Sequence, residues 1–350
     1  MGKKITHNWK SLYIELTSQC NLNCAYCYNE SNMQCTDFLP LDLAKKVLVE
    51  AANRNVSNIS FSGGEPLLYP YFYELYDFVT RDLSRAVTLI TNASLLKQDF
   101  IDQIVGDHTI LQLTLDGHTS ELHGKSRDRR NFADNIAVIE YLLEKHQYQG
   151  IHVRINISHY NIENVEDIVD FLYALGIRQI TVALASTTGR GIQIDKQESI
   201  YQLPLLLKLD SRIKNLKKKY IDLSLFYYAF GECLGCDFYS DDAYTMNLRI
   251  RYDGMIFPCQ SFNCQEANLG NIRNVNIGEA AFEESFDAWV EQMVEKKEEV
   301  LHSNCQGCYC RPFCKGGCMA YILDSPTEKT MFSAACQTRK KLYKDKLLML

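Results

Sequence analysis

Over the first 185 residues, short β-rich runs alternate with stretches in which apolar residues recur at helical spacing. Runs over residues 12–16, 56–61, 86–91, 110–115, 151–157 and 179–184 are rich in Val, Ile and Leu and predict six strands. Most read as unbroken rather than cleanly alternating, the pattern of parallel strands buried on both faces. Between them, Ala44, Val47, Leu48 and Ala51 trace one helical face, and Phe132, Ile136, Ile139 and Leu143 trace another. Asn131 reads as the cap of that second helix, with Asp134 three residues on. Asn164 reads as the cap of a helix over residues 165–175, ended by Gly176, where a left-handed conformation costs little. Leu206, Leu209, Ile213 and Leu216 mark one more helix, whose solvated side carries Lys214, Lys217, Lys218 and Lys219. Six strand–helix units predict an α/β fold, a parallel sheet rolled into an open barrel.

At 350 residues the chain has room for such a barrel and an appendage, with a boundary expected between 1–225 and 226–350. The net charge of −6 argues against a nucleic-acid partner, since phosphates call for a basic face. No window has the apolar length of a membrane span, and the basic start Met1-Gly2-Lys3-Lys4 lacks the apolar run of a signal peptide. Gly2 to Thr6 fits a loose myristoylation pattern that is usually accidental. A cytoplasmic location is expected, and there fourteen cysteines ask for metal rather than disulfides.

Three of them decide the chemistry. Cys20-Asn-Leu-Asn-Cys24-Ala-Tyr-Cys27 follows the first strand and suits an iron–sulfur cluster, which in its four-iron form is normally held by four cysteines. With three supplied, one iron keeps an open position for chemistry. Tyr26 adds an aromatic wall. A structural zinc site or a disulfide is the bland alternative, but no His lies in the loop. After the second strand comes Ser62-Gly63-Gly64-Glu65-Pro66, whose glycines let backbone approach a ligand closely. The fourth strand runs into Thr114-Leu115-Asp116-Gly117, followed by a polar segment ending at Arg127.

The cysteine spacing resembles the signature of the radical S-adenosylmethionine (radical SAM) enzymes. The resemblance implies a partial (β/α)6 barrel with Cys20, Cys24 and Cys27 holding a [4Fe-4S] cluster that binds S-adenosylmethionine. It implies further that Gly63, Gly64, Glu65 and Pro66 hold the cofactor's amino group, and that Thr114 and Arg127 touch its ribose and carboxylate. This chain has Thr114 where the peptide-modifying branch usually has Ser, and His123-Gly124 for the usual His-Asp. An arginine suits a carboxylate gripped by two bonds, although a charged surface loop is the competing reading. Residues 185–191 resemble a loop closing over the adenine, or a plain glycine turn.

Four cysteines precede residue 232 and ten follow it. Cys305-x2-Cys308-x5-Cys314-x3-Cys318, a gap to Cys336, and Gly254-x4-Cys259 upstream resemble the SPASM domain, a small cysteine-rich C-terminal extension with two auxiliary [4Fe-4S] clusters. By that resemblance Cys233, Cys236, Cys259 and Cys318 hold the first, and Cys305, Cys308, Cys314 and Cys336 the second. A zinc ribbon competes, because both C-x2-C pairs have zinc spacing. Cys35, Cys264 and Cys310 are left over; a minority reading makes Cys264 or Cys310 a hydrogen-atom donor.

The resemblance implies an oxidoreductase that abstracts hydrogen from a ribosomally made precursor peptide with a 5′-deoxyadenosyl radical, and forms a thioether or carbon–carbon crosslink. Its electron donor would be a flavodoxin or ferredoxin. Little chain precedes Leu12, so leader recognition is expected from a separate leader-binding protein or from the barrel itself. The alternatives are a peptide epimerase, a formylglycine-forming sulfatase maturase, and a multi-cluster electron-transfer protein. Gln260 stands where the maturases place an Asp base after the cysteine, which disfavours that activity.

Overall fold

The computed structural model describes residues 4–186, 188–197, 202–228, 243–314, 318–323, 336–341 and 344. Among the described residues nine strands form one sheet: β1 (Lys4–Thr17), β2 (Asn58–Gly63), β3 (Val87–Ile90), β4 (Ile110–Thr114), β5 (Ile151–Ile157), β6 (Gln179–Leu184), β7 (Ser224–Tyr228), β8 (Ala243–Ile250) and β9 (Ile256–Phe257). Their order is β7-β6-β5-β4-β3-β2-β1-β8-β9, parallel throughout except for the β8–β9 hairpin. The six expected strands are present in sequential order. A parallel β7 extends the sheet beyond them, and residue 225 lies within it. At the other end β8, upstream of Cys259, pairs with β1 over most of its length. This is why β1 runs to 14 residues: it has a partner on each side.

The strands alternate, contrary to the expectation of two apolar faces. Leu12, Ile14 and Leu16 are fully buried in the core with Val47 and Leu48 of the helix Leu41–Asn53, while Tyr13, Glu15 and Thr17 occupy the opposite face. In β5, Ile151, Val153, Ile155 and Ile157 join the core, and His152, Arg154 and Asn156 point away. The Val, Ile and Leu density that suggested double burial comes from one face alone. The other is polar and faces the inside of the curled sheet, as Glu15, Thr17 and Asn156 do.

The sheet also curls. Five strand spacings separate β1 from β6, about 24 Å if flat. Yet Arg190, after β6, donates to the Cys24 carbonyl in the loop after β1 at 2.9 Å. The C-terminal strand ends therefore converge on one mouth. Gly176 ends its helix at φ +108° as expected, although Asn164 makes no capping bond there. Asn131 is not a cap: Arg130 holds that place, and the buried Asn131 amide donates instead to the Asn92 carbonyl at 2.5 Å. C-terminal to the hairpin, Phe282, Phe286, Trp289 and Met293 of the helix Ala280–Asn304 pack into the same core. Among the described residues no helix is long and apolar enough to cross a membrane.

Candidate functional site

The cysteine loop lies across the mouth and is tied to four strand ends. Cys20 N–H donates to the Asn32 carbonyl at 3.1 Å, and Ala25 N–H to the Ser126 carbonyl at 2.8 Å. Asn21 donates to Ser94 and accepts from Asn92, both at 2.8 Å. Arg190, not singled out from the sequence, donates from its backbone to the Cys27 carbonyl and from its guanidinium to the Cys24 and Ser31 carbonyls. The closing glycines serve the same contact. A Cβ at Gly189 would meet the Tyr28 and Cys27 carbonyls at 2.5 and 2.6 Å, and Gly189 has φ +57°. Gly189 and Arg190 thus clamp the cysteine loop, visible in the sequence only as a glycine-flanked arginine.

Cys24 and Cys27 lie close enough to Cys20 to raise its pKa, and Cys27 raises that of Cys24. Burial pushes the Cys20 thiol up to about 12, so its sulfur stays protonated near neutrality unless a metal cation replaces the proton. Among the described residues no trio of His, Cys, Asp or Glu converges on a single ion. A cubane does not require that, because each thiolate ligates a different corner of the cage. The donor set fits an iron–sulfur cluster.

The Gly63-Gly64-Glu65-Pro66 turn does a second job. A Cβ on Gly63 would lie 2.4 Å from the Thr17 carbonyl, and one on Gly64 2.1 Å from that of Gln19. Both glycines admit the start of the cysteine loop, and Gly64 and Glu65 donate their N–H groups to Thr17 and Gln19. The buried Glu65 carboxylate accepts from Thr91 Oγ1 at 2.6 Å and Asn92 N–H at 2.9 Å, fixing the end of β3. Burial raises its pKa. Pro66 opens the short turn Pro66–Leu68 and is buried.

Opposite, Asp116 organises the end of β4. Its Oδ1 accepts from Asn156 N–H at 2.8 Å; its Oδ2 accepts from Ser126 at 3.1 Å and from the Tyr26 hydroxyl. Arg127 donates to the Tyr26 hydroxyl at 3.0 Å and to Asn131 at 3.4 Å. Its Nε is buried without a partner among the described residues, and it acts electrostatically on Cys24. An orphaned guanidinium nitrogen beside the cysteine loop fits an anionic group of a bound cofactor. Thr114 is buried on the interior face one residue before Leu115. His123 packs beneath this turn; burial and Arg127 lower its pKa to about 4.

Below the mouth, the fully buried Glu15 and Arg249 form an ion pair of 2.9 Å. Arg249 donates also to the Phe262 carbonyl and to Asn263, and Glu15 accepts from the Tyr28 hydroxyl. The pair joins the segment after Cys27 to the segment after Cys259. Farther along, Cys308, Cys314 and Cys336 raise the pKa of Cys305, and Cys308 and Cys314 raise that of Cys336, so four of the expected auxiliary ligands sit together. Cys310 is buried beside Cys308 and Cys314. Gln260 is exposed, and Cys233 and Cys236 lie outside the described residues.

Residues 14–175 match the family model of the radical SAM superfamily. These residues are a radical SAM domain. Such a domain binds S-adenosylmethionine at an iron–sulfur cluster, and the cysteine-rich region that follows it fits a SPASM extension. The chain is 29% identical over 185 residues to the subtilosin biosynthesis protein AlbA of Bacillus subtilis, covering 51% of this chain and 40% of that one. It is 30% identical over 185 residues to an AdoMet-dependent heme synthase of Methanosarcina barkeri, covering 52% of each. The chain therefore spans about half the length of the curated relatives it matches. The structure of Streptococcus suis SuiB bound to S-adenosylmethionine superposes with a TM-score of 0.71 at 19% identity, over 92% of this chain and 76% of that one, which establishes the shared fold.

Proposed function

We propose that this chain is a radical SAM/SPASM oxidoreductase that modifies a ribosomally made peptide, most consistently by forming an intrapeptide thioether or carbon–carbon crosslink. The observation that carries this reading is the cysteine loop itself: three mutually interacting thiols, clamped from four strand ends and opening onto a polar interior. AlbA, a bacteriocin biosynthesis protein by name, and SuiB, also solved with its precursor peptide, support the substrate class.

In this reading Cys20, Cys24 and Cys27 hold the cluster, the Gly63–Pro66 backbone receives the cofactor's amino group, and Arg127 its carboxylate. When bound, the cluster and S-adenosylmethionine would supply the radical chemistry that takes a hydrogen atom from a substrate carbon. Tyr26 and Asp116 hold Arg127 in place, and Arg190 keeps the cysteine loop from opening to water. Cys233, Cys236, Cys259 and Cys318 would hold one auxiliary cluster and Cys305, Cys308, Cys314 and Cys336 a second, which would supply an acceptor for the second electron of a net oxidation. A flavodoxin or ferredoxin supplies the first. The position of Cys310 among the second set of ligands argues against its use as a hydrogen donor to substrate and leaves Cys264 for an epimerase. Anaerobic reaction with the precursor peptide, followed by mass spectrometry, tests the proposal. A product lighter by two hydrogens supports it; unchanged mass with one deuterium gained in heavy water replaces it with epimerisation.

A further inference from the structure

The interior face of the sheet carries a cation that the machinery above does not use. Arg154, in β5, points away from the apolar core, flanked in register by Thr114 of β4 and Thr181 of β6. The neighbouring positions on that face are Gln112, His152, Asn156 and Ala183; Asp116, next after Thr114 on the same face, is already bonded by Asn156 N–H, Ser126 and the Tyr26 hydroxyl. Its Nε donates to Asn156 Oδ1 at 2.8 Å, which fixes the guanidinium plane. Its two terminal nitrogens have no partner among the described residues, and the side chain is half-buried rather than sealed. Its charge also helps burial keep His152 neutral, since both lower that imidazole's pKa.

We infer that Arg154 docks a carboxylate of the substrate, so that the peptide class taken by this barrel is acidic near its reacting residue. The inference deepens the peptide-modifying reading and rests on it. An immobilised fork of two N–H edges in a partly dehydrated lumen matches a carboxylate better than any neutral acceptor. The cofactor's carboxylate is the rival. The Arg154 backbone lies two residues before Asn156 along β5, about 6.6 Å by strand rise, and its guanidinium reaches back to the Asn156 side chain, so the rival is excluded by occupancy rather than depth. Arg127 already stands at the mouth beside the cysteine loop.

The test uses the full chain, anaerobically reconstituted, and the paired probes N-acetyl-L-glutamate amide and N-acetyl-L-glutamine amide. Arginine labelling by p-hydroxyphenylglyoxal is followed at each site by mass spectrometry, with and without S-adenosylmethionine. The glutamate probe is expected to slow labelling of Arg154 saturably, about fourfold at three times its dissociation constant, while the glutamine probe does not. S-adenosylmethionine alone should protect Arg127 and leave Arg154 reactive. Equal protection by both probes, protection of Arg154 by the cofactor alone, or no protection by the glutamate probe overturns the assignment. Cofactor cleavage by the unaltered protein is measured in parallel. Its absence would count against the enzymatic reading, whereas the labelling result bears on Arg154 alone.

Discussion

Replacing Arg249 with Met tests whether the buried ion pair holds the two halves of the molecule together. Both partners are fully buried, and the guanidinium makes further bonds to the Phe262 carbonyl and Asn263. Met fills much of the volume but leaves Glu15 as a buried charge with only the Tyr28 hydroxyl to stabilise it. Breaking such a pair by removing one partner costs about 3–5 kcal/mol. Unfolding entropy of about 2.1 cal/mol/K per residue gives about 0.7 kcal/mol/K for a chain of this length, so Tm should fall by about 4–7 °C. The assay is differential scanning fluorimetry on anaerobically reconstituted protein. Glu15→Gln added to Arg249→Met should recover part of the loss, because the uncompensated charge is gone while an acceptor for Tyr28 remains. Two results would refute the reasoning: a single variant within about 1 °C of the parent, or a double variant that falls by the sum of the two singles.

Replacing Cys20, Cys24 and Cys27 together with Ala should remove about four of about twelve irons and abolish cofactor cleavage; cleavage that persists would defeat the cluster assignment. Gly64→Ala should lower soluble yield or cluster retention sharply, because its Cβ would stand 2.1 Å from the Gln19 carbonyl. Arg190→Ala should leave the fold intact by circular dichroism but speed iron loss to a chelator, as three anchors to the cysteine loop and its flank shrink to one backbone bond. The His123 pKa is lower folded (about 4) than unfolded, so the unfolded chain binds more protons between about 6.5 and 4. Stability should therefore fall as pH drops through that window, and less steeply in His123→Gln. Gln260→Asp should keep its cluster content yet yield no formylglycine on a sulfatase-type peptide, since a base acts only within hydrogen-bond reach of the proton being lost.

The six central strands were legible because each carries a dense apolar stripe, as in Leu12, Ile14 and Leu16. The same density hid the polar stripe between, and with it the lumen. Tyr13, Glu15, Arg154 and Asn156 look like scattered polar residues until the register aligns them on one face. The partnership of β1 with β8 was not legible, because it joins residues more than 200 positions apart and leaves no local period. Cys20, Cys24 and Cys27 could be read directly, since their chemistry depends on spacing. Arg190 could not: its role is set by carbonyls that only folding brings near. Asn131 was misread for a related reason. A cap preference is a local rule, and the Asn92 carbonyl, 39 residues away, overrode it.

The clamp formed by Gly189, Arg190 and Gly191 bears on the order in which this molecule is made. Its partners are the carbonyls of Cys24, Cys27, Tyr28, Ser31 and Ser186, and all but the last belong to a segment translated some 160 residues before the clamp itself. The cysteine loop is complete as sequence by residue 27, yet its final backbone shape waits for some 160 further residues to be synthesised and for β6 to dock. Iron delivered earlier would meet three thiols on a loose strap. Iron delivered after β6 has docked would meet a shaped cradle. The cradle offered to a cluster is thus complete only once the chain has been translated as far as the clamp and β6 has docked.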